Sequence, residues 1–109
     1  MKELPQSLQE EVIRRLVSAL HPLGIYLFGS HARGSANEDS DVDLLVVVPD
    51  TETSTRELAR LARRSLWGLK LPVDLLVCTE SEMAQWSQVG CNLLHTVAQE
   101  GRVVYALNR

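Results

Sequence analysis

The sequence lacks several features that would place it in a specialised class of proteins. Its 109 residues carry a formal net charge of -3, whereas domains that coat nucleic acid are usually strongly basic. No apolar run approaches the roughly 18 to 20 residues that cross a bilayer. Residues 1–9 also lack the positive-then-apolar pattern of a secretory signal. We therefore expect a cytoplasmic protein without a membrane-spanning segment.

Cysteine is scarce, and the chain contains neither internal repeats nor low-complexity segments. The two cysteines, Cys78 and Cys91, do not have the spacing of a metal site, so we expect two free thiols near the core. Hydrophobic residues make up 45% of the chain and charged residues 23%, which is typical of a soluble globular protein. The length fits one modest core, and residues 1–109 are therefore interpreted as a single domain.

What the sequence does contain is an alternation of helical and strand patterns. The spacing of apolar residues predicts helices over about 5–20, 54–69, 79–88 and 92–100 and strands over 25–28, 42–48 and 72–78. Residues 103–106 form either a final strand or an extended tail. Such an order favours an α/β (α+β) fold in which helices pack on a small mixed sheet. The strand 42–48 is nearly all β-branched or leucine, which is typical of a strand buried on both faces.

Two aspartates stand at the start of this strand. Successive side chains of a strand point to opposite faces, so Asp41 and Asp43 point the same way. Burying two unpaired carboxylates is costly, and a hard cation such as magnesium, which prefers carboxylate oxygens, would relieve that cost. Alternatively, Asp41 caps a turn and Asp43 pairs with an arginine such as Arg33.

Gly29 and Ser30 follow the first predicted strand and suit a phosphate group. Glycine lets the backbone approach without a clashing Cβ, and a serine hydroxyl can donate to a phosphate oxygen. Taken alone, this pair is equally an ordinary turn. Ten residues separate Ser30 from Asp41, so two consecutive strands bring anion donors and cation ligands to the same end of a sheet.

A third aspartate lies in a strand of similar pattern. Asp74 occupies the second position of Val-Asp-Leu-Leu-Val, and the same five residues surround Asp43. If the two strands are neighbours, Asp74 reaches the same metal centre, and three carboxylates match a two-metal arrangement for displacement at phosphorus. The alternative is that Asp74 lies near a strand start and is solvated.

Together these motifs resemble a known signature. The sequence GSHARG at 29–34, followed by SDVDL at 40–44, is similar to that of the DNA polymerase β-like nucleotidyltransferase superfamily. The short length and the ARG tripeptide resemble its minimal nucleotidyltransferase (MNT) branch. The resemblance implies the polymerase β-like palm fold. It also implies transfer of a nucleoside monophosphate from a nucleoside triphosphate, ATP in the first place, to an acceptor hydroxyl.

The resemblance also implies a role for each residue of the motif. Gly29 and Ser30 would hold the triphosphate. Asp41 and Asp43 would bind the catalytic metal, Mg²⁺ or Mn²⁺. Asp74 would hold a second metal ion or act as the base for the acceptor, which makes all three aspartates candidate catalytic and metal-binding residues.

Two further residues are candidate nucleotide ligands. The Arg33 guanidinium suits bidentate recognition of a phosphate, although an ion pair with Glu38 or Asp39 is an equal alternative. Ser40 directly precedes the carboxylates and either contacts the nucleotide or caps the turn.

A basic stripe and two tryptophans each have a structural interpretation and a partner-binding one. The stripe has helical spacing and consists of Arg56, Arg60, Arg63 and Arg64. It would meet an acidic partner or an RNA backbone, or it is a solvated helix face. Trp67 and Trp86 would either pack in the core or anchor a partner at the surface.

Proteins of the MNT branch resemble the antitoxin of a toxin–antitoxin pair. The partner implied is a HEPN-domain ribonuclease toxin, and the reaction implied is AMP transfer to one of its tyrosines within a homo- or hetero-oligomer. One alternative is a nucleotide- or partner-binding antitoxin module without essential catalysis. Another is a nucleotidyltransferase for small molecules, like the aminoglycoside-modifying relatives, which use a further domain. Nucleic acid is not expected as a direct substrate, since the sequence shows no clear basic groove.

Overall fold

The computed structural model describes residues 6–28, 42–69, 73–86 and 101–107. Along these segments the order of elements is α1 (Gln6–Leu20), β1 (Gly24–Phe28), β2 (Val42–Val48), α2 (Thr55–Ser65), β3 (Val73–Thr79), α3 (Glu80–Trp86) and β4 (Arg102–Ala106). The helix predicted over 92–100 lies outside the described residues. No helix in the described segments is long and apolar enough to cross a membrane.

The four strands form one mixed sheet in the order β3-β2-β1-β4. β2 pairs with β1 in antiparallel and with β3 in parallel orientation, and β4 is antiparallel to β1. β2 is therefore an inner strand, and every residue of it except Asp43 is buried. The α/β prediction with a small mixed sheet is confirmed.

The main core lies between one face of the sheet and the helices α1 and α2. Its buried members come from alternate positions of the strands and from one stripe of each helix: Val12, Leu16, Leu20, Ile25, Leu27, Val42, Leu44, Val46, Val48, Ala62, Leu66 and Leu75. Alternation along the strands makes this face almost entirely apolar. The opposite face carries Asp43 at one end and a smaller apolar cluster beyond it.

Hydrogen bonds cap α2 at both of its ends. The Ser54 hydroxyl accepts a hydrogen bond from the Glu57 amide at 3.1 Å, which satisfies an unpaired N–H of the first turn. The helix was predicted to continue to residue 69 but ends at Ser65. The Leu66 amide bonds back to the carbonyls of the last turn, and Gly68 has a left-handed φ of 91°, which ends the helical path.

α3 is started by a reciprocal capping box. The Glu82 amide donates to the Thr79 hydroxyl at 3.2 Å, and the Thr79 amide donates to the Glu82 carboxylate at 3.0 Å. Asp50, which follows β2, accepts hydrogen bonds from the Ser81 amide and hydroxyl. These bonds fasten the first turn of α3 to the end of β2.

Candidate active site

Two carboxylates lie side by side on neighbouring strands. β2 and β3 pair in parallel with Asp43 opposite Asp74, so the two matching pentapeptides are aligned residue for residue. Residues paired in this way point to the same face, on strands about 4.8 Å apart. The conditional prediction that Asp74 lies beside the first carboxylate strand therefore agrees with the register.

The two carboxylates differ in exposure. Asp43, on the inner strand, is partly buried, whereas Asp74, on the edge strand β3, is exposed. Phe28 is the antiparallel partner of Asp43 and is also partly buried. A bound molecule can therefore approach Asp74 from solvent.

The residues of the predicted phosphate loop connect to this end of the sheet. Gly29 follows Phe28 directly in the chain, and Asp41 directly precedes Val42. Phe28 and Val42 are both described and lie at the end of the sheet that carries the carboxylate pair. The predicted site residues Gly29, Ser30, Arg33, Ser40 and Asp41 themselves lie outside the described residues.

The chemistry of the carboxylate pair fits a hard cation. Two carboxylates in register repel each other, and Mg²⁺ prefers such oxygens together with waters and phosphates. The segments 6–28, 42–69, 73–86 and 101–107 contain no group of three or more His, Cys, Asp or Glu side chains placed to hold a metal ion. Asp43 and Asp74 are two of the three predicted ligands, and Asp41 is the third.

The far end of the same face is chemically inert. Cys78 pairs in register with Val47, about 13 Å along the strands from the carboxylates. Its thiol is buried, and burial together with the nearby negative charge of Glu82 raises its pKa to about 12. Cys78 therefore stays a protonated thiol at neutral pH, which makes it a packing residue rather than a nucleophile. Cys91 lies outside the described residues.

Sequence reasoning missed the polar contacts that connect distant elements. Arg15 on α1 donates to the carbonyl of Trp67 at 2.8 Å, across 52 positions of sequence. Asp50 reaches Ser81 across 31 positions. Arg15 lies on the polar side of a helix and Asp50 in the loop after β2, so neither carries a sequence signal for a tertiary contact.

Residues 8–98 match the family model of the nucleotidyltransferase domain. The chain belongs to the nucleotidyltransferase family. A protein of Methanocaldococcus jannaschii, provisionally named a protein adenylyltransferase, is 32% identical over 103 residues, which cover 89% of this chain and 98% of the relative. The prediction that the protein is a nucleotidyltransferase enzyme is confirmed.

Solved structures agree with this assignment. A toxin–antitoxin crystallised with AMP-PNP has a TM-score of 0.66 and 26% identity, covering 91% of this chain and 73% of that chain. A mutant of the toxin–antitoxin MntA–HpeT has a TM-score of 0.61 and 25% identity, with the same coverage. A provisionally named nucleotidyltransferase of Sulfolobus solfataricus shares the fold at a TM-score of 0.65 and 22% identity, over 92% of this chain and 78% of that one.

Proposed function

We propose that this nucleotidyltransferase transfers AMP from ATP to a tyrosine hydroxyl of a partner toxin, a HEPN-domain ribonuclease, and thereby neutralises it. The observation that carries the proposal is the in-register pair of Asp43 and Asp74 at one end of an otherwise apolar sheet face. The name of the M. jannaschii relative supports a protein acceptor. The toxin–antitoxin neighbours support a toxin as that acceptor, and the AMP-PNP in one of them supports ATP.

The three aspartates would hold Mg²⁺ or Mn²⁺, which when bound would neutralise the triphosphate charge and align it for displacement at phosphorus. Asp43 lies on the inner strand, so its backbone is fixed on both sides by β1 and β3. One neighbour of known structure carries aspartate-to-glutamate changes at two positions that are two residues apart, which is the spacing of Asp41 and Asp43. That spacing supports a joint role for the two aspartates.

The triphosphate would bind at the loop that follows β1. Gly29 and Ser30 would contact its phosphates, and Arg33 and Ser40 would add further contacts. The acceptor oxygen then forms a bond to the α-phosphorus, the bond to the oxygen bridging the β-phosphorus breaks, and pyrophosphate leaves. Such a transfer depends on positioning and charge neutralisation more than on covalent chemistry from the protein.

Asp74 is the carboxylate that an acceptor can reach, because it is exposed on the edge strand. Two roles fit this position. As a base it would take the proton of the attacking hydroxyl, and as a ligand it would hold a second metal ion. The two roles differ in what the Asp74→Asn variant would do to metal binding.

The proposal is tested with a HEPN-domain ribonuclease toxin as the acceptor, ATP labelled at the α-phosphate, and Mg²⁺. We expect the wild-type protein to label a tyrosine of the partner, and the label to be lost with Asp43→Asn. Glu52→Gln is the matched control, since this exposed carboxylate lies beyond the other end of β2. Absence of label with the wild type would overturn the transfer. If Asp43→Asn still neutralised the toxin, binding alone would be the mechanism.

A further inference from the structure

Trp67 is the most exposed of the large hydrophobic side chains in the described segments, with 74% of its surface accessible. It lies in the turn after α2, next to Leu66, which is buried in the core. An indole exposed to this extent adds nothing to core packing. Tryptophan is among the residues that contribute most to protein–protein binding, so the exposed position of Trp67 favours a role in binding a partner.

Arginine side chains surround this indole. The Arg64 guanidinium lies over the Trp67 ring, 6.0 Å from its centroid. Five residues line a shallow cavity of about 300 Å³, here called the Trp67 patch: Arg60, Leu61, Arg63, Arg64 and Trp67. Arg60 pairs with Glu57 at 2.6 Å, whereas Arg63 makes no ion pair with any residue in the described part of the chain. The patch is therefore locally positive on a chain whose net charge is -3.

The backbone that presents the indole is held in place from α1. Arg15 donates to the Trp67 carbonyl at 2.8 Å and to the Ser65 carbonyl at 3.4 Å. Glu11 in turn fixes the Arg15 guanidinium by an ion pair of 2.8 Å. A surface whose backbone is fixed before binding loses less conformational entropy when a partner docks.

The Trp67 patch lies at the end of the sheet that carries the carboxylate pair. β2 and β3 are parallel, so α2 carries the chain back from the end of β2 to the beginning of β3. Trp67 precedes Asp74 by seven positions, and an extended chain of that length spans at most about 25 Å. α2 packs on the face of the sheet opposite to the carboxylates, so a protein bound at the patch would pass around the edge strand β3 to reach Asp74.

We propose that the Trp67 patch docks an acidic segment of the protein acceptor, with carboxylates on its arginines and an apolar side chain on Trp67. This inference rests on the proposed transfer to a protein. The charge of the patch is complementary to an acidic segment. A single tryptophan and three arginines on one short surface do not form the extended basic groove that tracks a nucleic-acid backbone, and the net negative charge of the chain opposes a long polyanion.

The test is a binding measurement without ATP or metal. The probe is a fluorescein-labelled peptide of eight glutamates and aspartates around a central tyrosine. Its binding to the full chain is followed by fluorescence anisotropy at about 0.15 M salt, where exposed charges are screened beyond about 8 Å. We expect Arg63→Glu and Trp67→Ala each to weaken binding at least tenfold. Arg56→Glu, which makes the same charge change on the exposed face of α2 but outside the patch, should stay within twofold. Thermal melting confirms that each variant is folded.

Three results would overturn the docking proposal. The wild-type protein could fail to bind the acidic peptide, or Arg56→Glu could weaken binding as much as Arg63→Glu, which would show only a general charge effect. A uridine-rich RNA of equal length could bind more tightly than the peptide through Arg63 and Trp67. Patch-dependent binding without AMP transfer would overturn only the proposed function, and AMP transfer without patch-dependent binding would overturn only the docking.

Discussion

Asp43 and Leu44 are neighbours on β2, and their side chains point to opposite faces of the same sheet. Leu44 is 4% exposed and lies in the core beneath α1 and α2. Asp43 is partly buried on the other face, beside Asp74. A shift of the strand by one residue would exchange the two faces and bury the carboxylates under the helices. The face beneath the helices therefore holds the main core, and the end of the other face that carries Asp43 supplies the proposed chemistry.

Replacing a carboxylate of the pair should separate activity from stability most strongly. We expect Asp74→Asn to lower AMP transfer about 10²- to 10⁴-fold, the range typical of a lost general base. The free energy of unfolding should change by less than about 0.5 kcal/mol, because the side chain is exposed. Denaturant unfolding and single-turnover transfer check both values. Unchanged Mn²⁺ affinity in this variant would identify a base, and weakened affinity would identify a metal ligand.

Leu44→Ala, next to Asp43 on the other face of β2, should mainly lower stability. Removing a fully enclosed leucine leaves a cavity beneath α1 and α2, which typically costs about 2 to 5 kcal/mol of stability. Urea unfolding measures the loss, with Val103→Ala as the control because Val103 is 54% exposed. A loss below about 1 kcal/mol for Leu44→Ala would show that this face is not the main core.

The capping box of α3 should make a smaller contribution to stability, on the face of the sheet that carries Asp43. Met83 of this helix packs on the apolar cluster that shares a face with Asp43. We expect Thr79→Ala to cost about 1 kcal/mol of stability, as loss of an N-cap usually does. Thr53→Ala, at an exposed threonine, should stay within about 0.5 kcal/mol in the same unfolding experiment. Equal losses in the two variants would contradict a specific role for the cap.

The smallest expected effect is a pH dependence of stability that arises from Glu11 on α1. Hydrogen bonds from Arg14 and Arg15 lower the pKa of Glu11 from 4.5 to about 2. This lowered pKa adds stability that is complete above about pH 4.5 and is lost as the pH falls towards 2. We expect wild-type Tm to fall more steeply than that of Glu11→Gln across this range. Parallel curves would show that the ion pairs contribute nothing in solution.

The pattern of apolar residues predicted the strands well, because buried strands consist almost entirely of such residues. β2 has the predicted bounds, because an inner strand is buried on both faces and therefore needs a continuous run of apolar residues. α2 was predicted too long, because the amides of Leu66 and Trp67 bond to carbonyls three residues back and Gly68 then turns the chain, and apolar spacing shows neither change. The Arg15 contact with the Trp67 carbonyl depends on how α1 meets α2, which a single sequence does not encode locally.

The candidate site also has features that the sequence predicted and features that only the fold shows. The matching pentapeptides around Asp43 and Asp74 made adjacency a reasonable hypothesis, but only the parallel register places them side by side. Sequence spacing also singled out Gly29, Ser30 and Asp41, and their roles remain predictions. The exposed position of Trp67 could not be predicted, because a tryptophan at helical spacing suits a core equally well.

Mn²⁺ binding tests whether Asp43 belongs to a metal–nucleotide site, and it does so without needing the acceptor. Electron paramagnetic resonance of free Mn²⁺ gives the affinity of the protein for the ion in the absence of nucleotide, which would itself chelate Mn²⁺. We predict that Asp43→Asn weakens Mn²⁺ binding at least tenfold, whereas Glu52→Gln leaves it unchanged. Wild-type affinity for Mn²⁺ in the Asp43→Asn variant would contradict a metal-binding role for Asp43.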